Sequence, residues 1–335
     1  MNKQPSYNAI ANRIFDFNIS SFESLALDIF SFQYENNLIY RRFVDALHIN
    51  VNGVTTITQI PFLPVSFFKT HRIQSNPFEP EMIFESSGTT QTANSKHYVS
   101  DISLYTHSFL KGFAQFYDNP ESYCIIGLLP SYLERRHSSL VMMVDELIKK
   151  SGHPHSGFYL YEHTTLADTL QELERQQQKT LLVGVTFALL DFAEQYPMPL
   201  KHTIVMETGG MKGRKKEMTR MEVHALLKQA FQLQRIHSEY GMTELLSQAY
   251  SKGDGIFYCP KWMKILLRND DDPFEMISPD AKSAKGVINV IDFANINSCS
   301  FIATEDAGKL YTDGGFEVTG RIDNSDIRGC SLMAI

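Results

Sequence analysis

Four short apolar runs constrain the fold of this 335-residue chain more than any other feature. Each has the length and the β-branched or aromatic content of a buried strand. The runs occupy residues 123–129, 181–187, 203–206 and 286–293. Helical periodicity over 137–151 and 164–178 fills the interval between the first two runs. Strands that alternate with helices are typical of a mostly parallel sheet, so the sequence predicts an α/β fold.

The segment before these runs has a different character. Residues 21–49 carry apolar side chains at mixed three- and four-residue spacing, which predicts one or two amphipathic helices. Pro61, Pro64 and Pro77 interrupt the next stretch. Because proline breaks both helices and ladders, we expect an irregular connection over 58–80.

Turn residues become frequent after about residue 250. We therefore divide the chain into an α/β body, residues 1–250, and a smaller β-rich segment, residues 251–335. Asp313-Gly314-Gly315 favours positive φ and predicts a hairpin over 309–321. In that hairpin the expected facing residues are Leu310 and Thr312 on one strand, and Phe316 and Val318 on the other.

Composition and charge exclude several classes of protein. Hydrophobic residues make up 43% and charged residues 21%, as in soluble globular enzymes, and a formal charge of −7 offers no basis for nucleic-acid binding. The first 20 residues lack the apolar core of a signal peptide, and no run approaches membrane-spanning length. The four cysteines form no CxxC pair, which favours a reducing compartment over structural zinc. We expect a cytoplasmic protein without nucleic-acid or membrane partners.

A hydroxyl-rich turn is the first motif that can carry chemistry. Ser86, Ser87, Thr89 and Thr90 surround Gly88. The glycine allows the backbone to approach a ligand closely, and the hydroxyl and N–H groups can bind phosphate oxygens. The spacing of a Walker A loop is absent, and the same composition also suits a plain turn.

A second motif follows near the middle of the chain and consists of Ser238, Glu239, Tyr240, Gly241, Met242, Thr243 and Glu244. The Tyr240 ring could stack on a flat base, and Thr243 and Glu244 offer oxygen ligands to Mg²⁺. The alternative is a strand–turn–helix junction in which Ser238 or Thr243 caps a helix that begins at Glu244.

A third group of residues lies in the β-rich segment. It comprises Thr304-Glu305-Asp306 and Gly320-Arg321-Ile322-Asp323. A carboxylate there could accept hydrogen bonds from both ribose hydroxyls, and an arginine could lie near a phosphate. Aspartate and arginine beside turns are also commonly solvated.

Together, and in this order, the motifs resemble those of the AMP-forming acyl-activating superfamily, which includes acyl-CoA ligases and peptide-synthetase adenylation domains. Residues 86–90 match its phosphate loop, and 240–244 match its adenine and Mg²⁺ motif, YGxTE. Asp306 matches the ribose-binding aspartate of TGD, and Arg321 the arginine of GRxD. The resemblance implies helix-covered, mostly parallel sheets with a smaller β-rich subdomain.

Three further stretches resemble the LuxE-type acyl-protein synthetases, with phenylacetate-CoA-ligase-like enzymes next. These stretches are residues 61–69, 209–214 and 328–330. In LuxE-type proteins a fatty acid becomes acyl-AMP and then a thioester on a cysteine near the C-terminus, for which Cys330 is the matching candidate. The alternative is that Cys330 packs in the protein interior as a small apolar side chain, which is common for free cysteines.

The resemblance implies ATP-dependent activation of a carboxylic acid, a fatty acid in LuxE-type proteins, with release of pyrophosphate. The acyl group would pass to Cys330, to CoA or to a carrier protein, with a reductase as a further partner. ATP or AMP and Mg²⁺ are the expected cofactors, with CoA a further option. Glu244 and Thr243 would hold the metal and, with Cys330, act in catalysis. The implied nucleotide-binding residues are Ser86, Ser87, Gly88, Thr89, Thr90, Gly209, Gly210, Ser238, Glu239, Tyr240, Gly241, Met242, Asp306 and Arg321.

The chain also departs from the family pattern. Gln91 replaces a loop glycine, which displaces Lys96, and Glu305 replaces the glycine of TGD beside the expected ribose site. Only 12 residues follow Asp323, so we expect the mobile C-terminal domain with its catalytic lysine to be missing. Two rival hypotheses follow: a non-catalytic adenylate-binding module of an acyl-transfer complex, or an acyl- or aryl-CoA ligase that needs a partner domain.

Overall fold

The structure is a computed structural model that describes residues 7–86, 94–129, 137–209, 218–280 and 282–322. The α-helices within these ranges are α1 Tyr7–Ala11, α2 Phe22–Asn36, α3 Leu38–Ala46, α4 Phe67–Thr70, α5 Ile102–Tyr117, α6 Ser139–Ser151, α7 His163–Arg175, α8 Thr186–Gln195 and α9 Arg220–Phe231. The strands are β1 Leu63–Pro64, β2 Met82–Glu85, β3 Lys96–Val99, β4 Cys124–Leu128, β5 Gly157–Phe158, β6 Thr180–Gly184, β7 Thr203–Glu207, β8 His237–Tyr240, β9 Ala249–Ser251, β10 Met263–Arg268, β11 Met276–Ile277, β12 Ser283–Asp292, β13 Phe301–Tyr311 and β14 Phe316–Arg321. Over the described ranges, no helix is both apolar and long enough to traverse a bilayer.

A mostly parallel sheet carries the strands predicted in the first part of the chain. Its order is β5-β4-β6-β7-β8-β9, and every neighbouring pair is parallel except β8 and β9. Strands β4 and β6 are buried at all their residues, as expected when helices cover both faces of a parallel sheet. The predicted α/β class is confirmed.

Helix α6 shows how local sequence sets these connections. The Ser138 hydroxyl accepts a hydrogen bond from Val141 N, and Gly152 ends the helix in the left-handed conformation at φ 61°. Its apolar face buries Met143 and Leu147. The helix predicted over 137–151 is therefore confirmed, with both caps supplied by the expected residue types.

A second sheet occupies the later part of the chain. Its order is β1-β13-β12-β10-β11, and β14 also pairs with β13. The hairpin of β13 and β14 is confirmed, with Leu310 opposite Phe316 and Gly314 at φ 85°. One detail of the prediction is wrong, because Val318 lies opposite Gly308 while Thr312 belongs to the turn.

The structure differs from the sequence prediction in two further segments. The run 181–187 ends as a strand at Gly184, and Thr186 already begins α8. The connection 58–80 is not wholly irregular, because Leu63–Pro64 pairs in parallel with β13 and Phe67–Thr70 forms one helical turn.

The alternative of a helix that begins at Glu244 is wrong, and Asp292 supplies the physical reason. Its carboxylate accepts hydrogen bonds from Leu246 N at 3.0 Å and from the Ser247 hydroxyl at 2.6 Å. Asn295 Oδ1 accepts from the same Leu246 N–H at 3.0 Å. Because these side chains accept the hydrogen bond of Leu246 N–H, this segment needs no helical hydrogen bond there and continues directly into β9.

Replacement of Asp292 tests this arrangement. Asp292 is fully buried, and burial raises its pKa to about 6 against the opposing effect of its hydrogen bonds. Asp292→Ala removes the buried acceptor of the Ser247 hydroxyl and of Ala294 N, while Leu246 N keeps only Asn295 Oδ1. It should therefore lower the free energy of unfolding by about 3 kcal/mol in urea titrations. The exposed Asp270→Ala variant is the control and should change it by less than about 0.5 kcal/mol. Equal effects of the two variants would contradict the assigned role.

Candidate active site

Three of the residues singled out in the sequence meet at the carboxyl end of β8. The Tyr240 hydroxyl donates to Asp306 Oδ2 at 2.8 Å, and Arg321 Nε donates to Asp306 Oδ1 at 3.3 Å. Asp306 and Arg321 are paired residues of β13 and β14. Tyr240 comes from the other sheet. The contact therefore joins the two large sheets at one point.

The Tyr240 side chain is buried and packed between aromatic rings where the two sheets meet. It is 8% exposed, and its ring packs edge-on against Phe316 and obliquely against Phe257. Burial and the adjacent charge of Asp306 raise the pKa of Tyr240 well above its usual value. The hydroxyl is therefore a neutral donor at physiological pH. Stacking of an adenine on this ring stays a prediction.

Asp306 and Arg321 differ sharply in exposure. The Asp306 side chain is 9% exposed, while that of Arg321 is 75% exposed. Each carboxylate oxygen of Asp306 already accepts one hydrogen bond and has a lone pair to spare. The arrangement thus leaves both residues able to contact a polar ligand from the solvent side.

Glu244 lies at a meeting point of three parts of the chain. It is 7% exposed, and burial raises the pKa of its carboxyl group. A hydrogen bond with Ser95 and the positive charges of Arg321 and Lys69 act in the opposite direction. Ser95 lies in the connection between β2 and β3 that contains the hydroxyl-rich turn, and Lys69 lies in α4. A buried carboxylate with a hydroxyl and two cations nearby suits a site for phosphates and a hard cation.

The neck of the hydroxyl-rich loop is closed by Ser86. Its N–H donates to Ser95 O at 3.0 Å, and its hydroxyl accepts from Ser95 N at 2.9 Å. Below this neck β2 and β3 form a hairpin in which Lys96 pairs with Glu85 at 3.2 Å. Lys96 therefore forms an ion pair within the hairpin. This agrees with the sequence, in which Lys96 does not occupy the lysine position of the family motif.

His97 is a site residue that the sequence analysis missed. It is 1% exposed, its Nδ1 lies 3.0 Å from Thr243 O, and its Nε2 lies 2.8 Å from Ser298 Oγ. Burial lowers its pKa to about 4, so the ring is neutral at pH 7. His97 links the base of the hydroxyl-rich loop to the Thr243–Glu244 segment. A lone histidine in a strand offers no local signal for such a role.

A second buried cluster was also missed and surrounds Glu207 at the end of β7. One carboxylate oxygen accepts from the Thr186 hydroxyl at 3.0 Å and from Gly209 N at 2.8 Å. The other accepts from Arg220 Nε at 3.3 Å and lies 3.6 Å from His224 Nε2. Gly209 itself has φ 75°, a conformation that favours glycine. The sequence did offer one signal for this cluster, because Glu207 directly follows the apolar run 203–206.

This cluster keeps a negative charge inside the protein. Burial alone would raise the pKa of Glu207, but the His224 hydrogen bond, the Arg220 charge and the Gly209 N–H outweigh it and lower the pKa to about 2. His224 Nε2 also lies 3.2 Å from the Ser238 hydroxyl. Ser238 therefore belongs to the network that orders Gly209.

The Glu305 side chain does not lie beside Asp306, which corrects the expectation of a negative charge at the ribose site. Residues alternate between the two faces of β13, with Asp306 on its buried face and Glu305 on the other. Glu305 lines a separate cavity of about 600 Å³ together with Arg268 and Phe274. The replacement of the family glycine therefore leaves the face around Asp306 unobstructed.

The remaining predicted residues divide into two groups. Gly241 is exposed and Met242 partly buried in the turn after β8, next to partly buried Glu239. The others fall outside the described residues: Ser87, Gly88, Thr89, Thr90, Gly210 and Cys330. Of the predicted residues that are described, the structure brings Tyr240, Asp306 and Arg321 into contact. The positive charge of Arg321 also opposes the rise in the pKa of Glu244 that burial causes.

Comparison with known proteins gives distant structural likenesses. No protein-family model and no curated protein matches the chain. The chain is similar to a luciferase-like enzyme from the nonluminescent mealworm Zophobas morio, with 18% identity and a TM-score of 0.48 over 75% of this chain and 60% of that one. It is also similar to O-succinylbenzoate coenzyme A synthetase from Bacillus subtilis in complex with AMP, with 17% identity and a TM-score of 0.47 over 72% and 61%.

A third similar structure is the amide bond synthetase McbA from Marinactinospora thermotolerans, with 15% identity and a TM-score of 0.48 over 75% of this chain and 50% of that one. This chain thus spans between 50% and 61% of the length of the three structures. At such identities the similarity concerns the fold and assigns no activity to this chain.

The Tyr240–Asp306 contact can be tested by removal of one hydroxyl. Tyr240→Phe should lower the free energy of unfolding by about 2 kcal/mol, because a buried carboxylate loses a donor. Tyr258→Phe is the matched control, since its hydroxyl donates to Asp313 at 3.1 Å on an exposed surface. It should cost less than about 0.5 kcal/mol. Urea unfolding that shows the same loss for both variants would refute the assigned importance of the buried contact.

Proposed function

We propose that this chain activates a carboxylic acid with ATP, forms an acyl-adenylate with release of pyrophosphate, and passes the acyl group to a thiol. The observation that carries the proposal is the convergence of the motif residues where the two sheets meet. Tyr240, Asp306 and Arg321 are in contact, and Glu244 lies beside the neck of the hydroxyl-rich loop. A nucleotide site requires residues distant in sequence to converge in this way.

The chemistry needs positioning and charge neutralisation more than covalent help from the protein. The acid's carboxylate attacks the α-phosphorus of ATP, a new O–P bond forms, and the bond to pyrophosphate breaks. Two anions must be brought together, so cationic and hydrogen-bonding groups near the phosphates lower the barrier. Lys69 and Arg321 are the described cations whose charge reaches the Glu244 carboxylate.

A magnesium ion fits the residues around Glu244. Carboxylate and hydroxyl oxygens are the ligands that Mg²⁺ prefers, and Glu244 and Thr243 would hold it together with phosphate oxygens. When bound, the ion would supply positive charge against the phosphates. Glu244 is kept in place by its hydrogen bond with Ser95, and His97 fixes the Thr243 backbone.

The nucleoside would occupy the solvent side of the Tyr240–Asp306–Arg321 contact. Asp306 would accept hydrogen bonds from the ribose hydroxyls with its remaining lone pairs. The exposed Arg321 guanidinium would contact the ribose or a phosphate, and the Tyr240 ring would border the adenine. The left-handed turn at Gly209, ordered by Glu207, would bring backbone to the nucleotide.

The described cysteines are poor nucleophiles for accepting the acyl group. Burial raises the pKa of Cys124 to about 11 and that of Cys299 to about 12, and it raises the pKa of Cys259 as well. A thiol, unlike a thiolate, is a poor nucleophile. Cys330, CoA or the thiol of a carrier protein therefore remain as acceptors in this proposal.

Adenylation predicts acid-dependent exchange of radioactive pyrophosphate into ATP. Glu244→Gln should reduce the exchange rate by about 100-fold, because it removes the carboxylate that would hold the magnesium ion at the phosphates. Glu121→Gln, at an exposed site, is the control and should leave the rate unchanged. If nucleotide still binds but no acid in a broad panel supports exchange, the non-catalytic module is the better description.

Transfer to a protein thiol predicts a covalent acyl adduct. After incubation with ATP and an accepted acid, intact-mass spectrometry should show a mass increase equal to the acyl group, and Cys330→Ser should abolish it. Cys259→Ser is the control and should retain the adduct. Persistence of the adduct in Cys330→Ser excludes Cys330, and AMP release that requires added CoA would favour an acyl- or aryl-CoA ligase.

A further inference from the structure

The cavity beside Glu305 lies on the face of β13 opposite to the one that carries Asp306. Its volume is about 600 Å³, a size typical of sites for small molecules. Helix α3, the segment 49–66, the connection between β10 and β11, and residues 303–305 of β13 supply its walls. Because β13 separates it from Asp306, the cavity is distinct from the candidate nucleotide site.

Most of the cavity wall is apolar and aromatic. The rings of Phe43, Phe62 and Phe274 line it, together with Val65 and Met276. Phe62 is 7% exposed, whereas Phe274 is 60% exposed. Large aromatic side chains usually bury most of their surface, so an exposed ring at the opening of an apolar cavity suits contact with an apolar ligand group.

Arg268 brings a positive charge to this wall. Its guanidinium donates to Ile288 O at 3.0 Å, to Asn289 Oδ1 at 2.6 Å and to Thr304 O at 2.6 Å. All three acceptors are neutral, and a guanidinium has N–H groups for at least two further hydrogen bonds. Burial lowers the pKa of Arg268, and the charges of Asp270 and Glu305 oppose this effect. Arg268 therefore remains a cation with donors to spare.

Glu305 brings the opposite charge to the same cavity. Its backbone O accepts from Ile322 N at 2.8 Å, but its carboxylate accepts no hydrogen bond from a described residue. The charge of Glu305 reaches Arg268, yet the two side chains form no ion pair within the described ranges. A carboxylate and a guanidinium thus line one apolar cavity without contact between them.

We propose that this cavity binds a free α-amino acid with an aromatic side chain. The α-carboxylate would accept hydrogen bonds from the spare N–H groups of Arg268, and the α-ammonium would donate to Glu305. The aromatic side chain would pack among the phenylalanine rings. A zwitterion carries an anion and a cation side by side, as the two unpaired charges of the wall require.

Ligands with only one of these charges match the cavity less well. An aromatic acid would satisfy Arg268 but bring its carboxylate toward Glu305, and an aromatic amine would satisfy Glu305 but bring its ammonium toward Arg268. Like charges repel, and this repulsion is stronger in a partly buried site than in water. The amino acid avoids both conflicts.

Isothermal titration calorimetry on the full chain tests the site. The ligands are L-phenylalanine and L-tryptophan, with 3-phenylpropionate and 2-phenylethylamine as analogues that lack one charge. At least one amino acid should bind with one molecule per chain. Each analogue should bind at least about 10-fold more weakly, because a hydrogen bond between charged groups is lost.

Two variants assign this binding to the cavity. Glu305→Gln removes the negative charge, so it should weaken binding of the amino acid at least about 10-fold, while 3-phenylpropionate binds as before or more tightly. Phe274→Ala removes an exposed ring and should weaken binding of the amino acid about 5-fold. Glu317→Gln is the matched control on β14, where Glu317 pairs with Lys309 away from the cavity, and it should keep the wild-type affinities.

The titrations contain no ATP, so their outcome does not depend on adenylation. Absence of saturable binding by both amino acids overturns the proposal. Binding that is unchanged in Glu305→Gln and Phe274→Ala also overturns it, because the amino acid then occupies another place. Tighter binding of 3-phenylpropionate than of either amino acid to the wild type would show a site for anions alone and would likewise contradict it.

Discussion

The hydrogen bond from Tyr240 to Asp306 is the contact on which the candidate site depends. It joins the carboxyl end of the mostly parallel sheet to the open end of the β13–β14 hairpin, and Arg321 completes it from β14. A buried carboxylate is stable only with donors around it, so the two sheets are held in one relative position by the group that would bind the ribose. The hydrogen bonds to Asp306 thus stabilise the fold and also fix the position of the carboxylate that would contact the ligand.

Two further polar connections extend this arrangement. His97 ties the base of the hydroxyl-rich loop to Thr243, and Glu207 orders Gly209 through a buried set of donors. His97 and Glu207 are both buried and hydrogen-bonded, and such networks specify a unique geometry when every member has a partner. Gln248 Oε1 is the exception among the buried polar atoms of the described side chains.

The elements with local sequence signals were predictable. The buried strands β4 and β7, helix α6 with its serine and glycine caps, and the turn at Gly314 all follow from apolar runs or turn residues close in sequence. The grouping of Tyr240, Asp306 and Arg321 was predicted from the order of their motifs, which resembles that of a known superfamily. No periodicity would have grouped these residues.

What escaped prediction depends on contacts between distant segments. The helix considered as an alternative after Glu244 is absent because Asp292, far along the chain, accepts hydrogen bonds from Leu246 N and the Ser247 hydroxyl. His97 and the Glu207 cluster gain their roles only after the strands are assembled. Glu305 was expected beside Asp306, yet strand alternation turns it to the opposite face.

The most direct test of the account is a crystal structure with a non-hydrolysable acyl-adenylate analogue, such as an acyl-sulfamoyl adenosine. The account predicts the ribose hydroxyls on Asp306, with Arg321 and the Glu244 segment at the sulfamoyl group. Binding in the cavity beside Glu305, or no binding at saturating analogue, would contradict it.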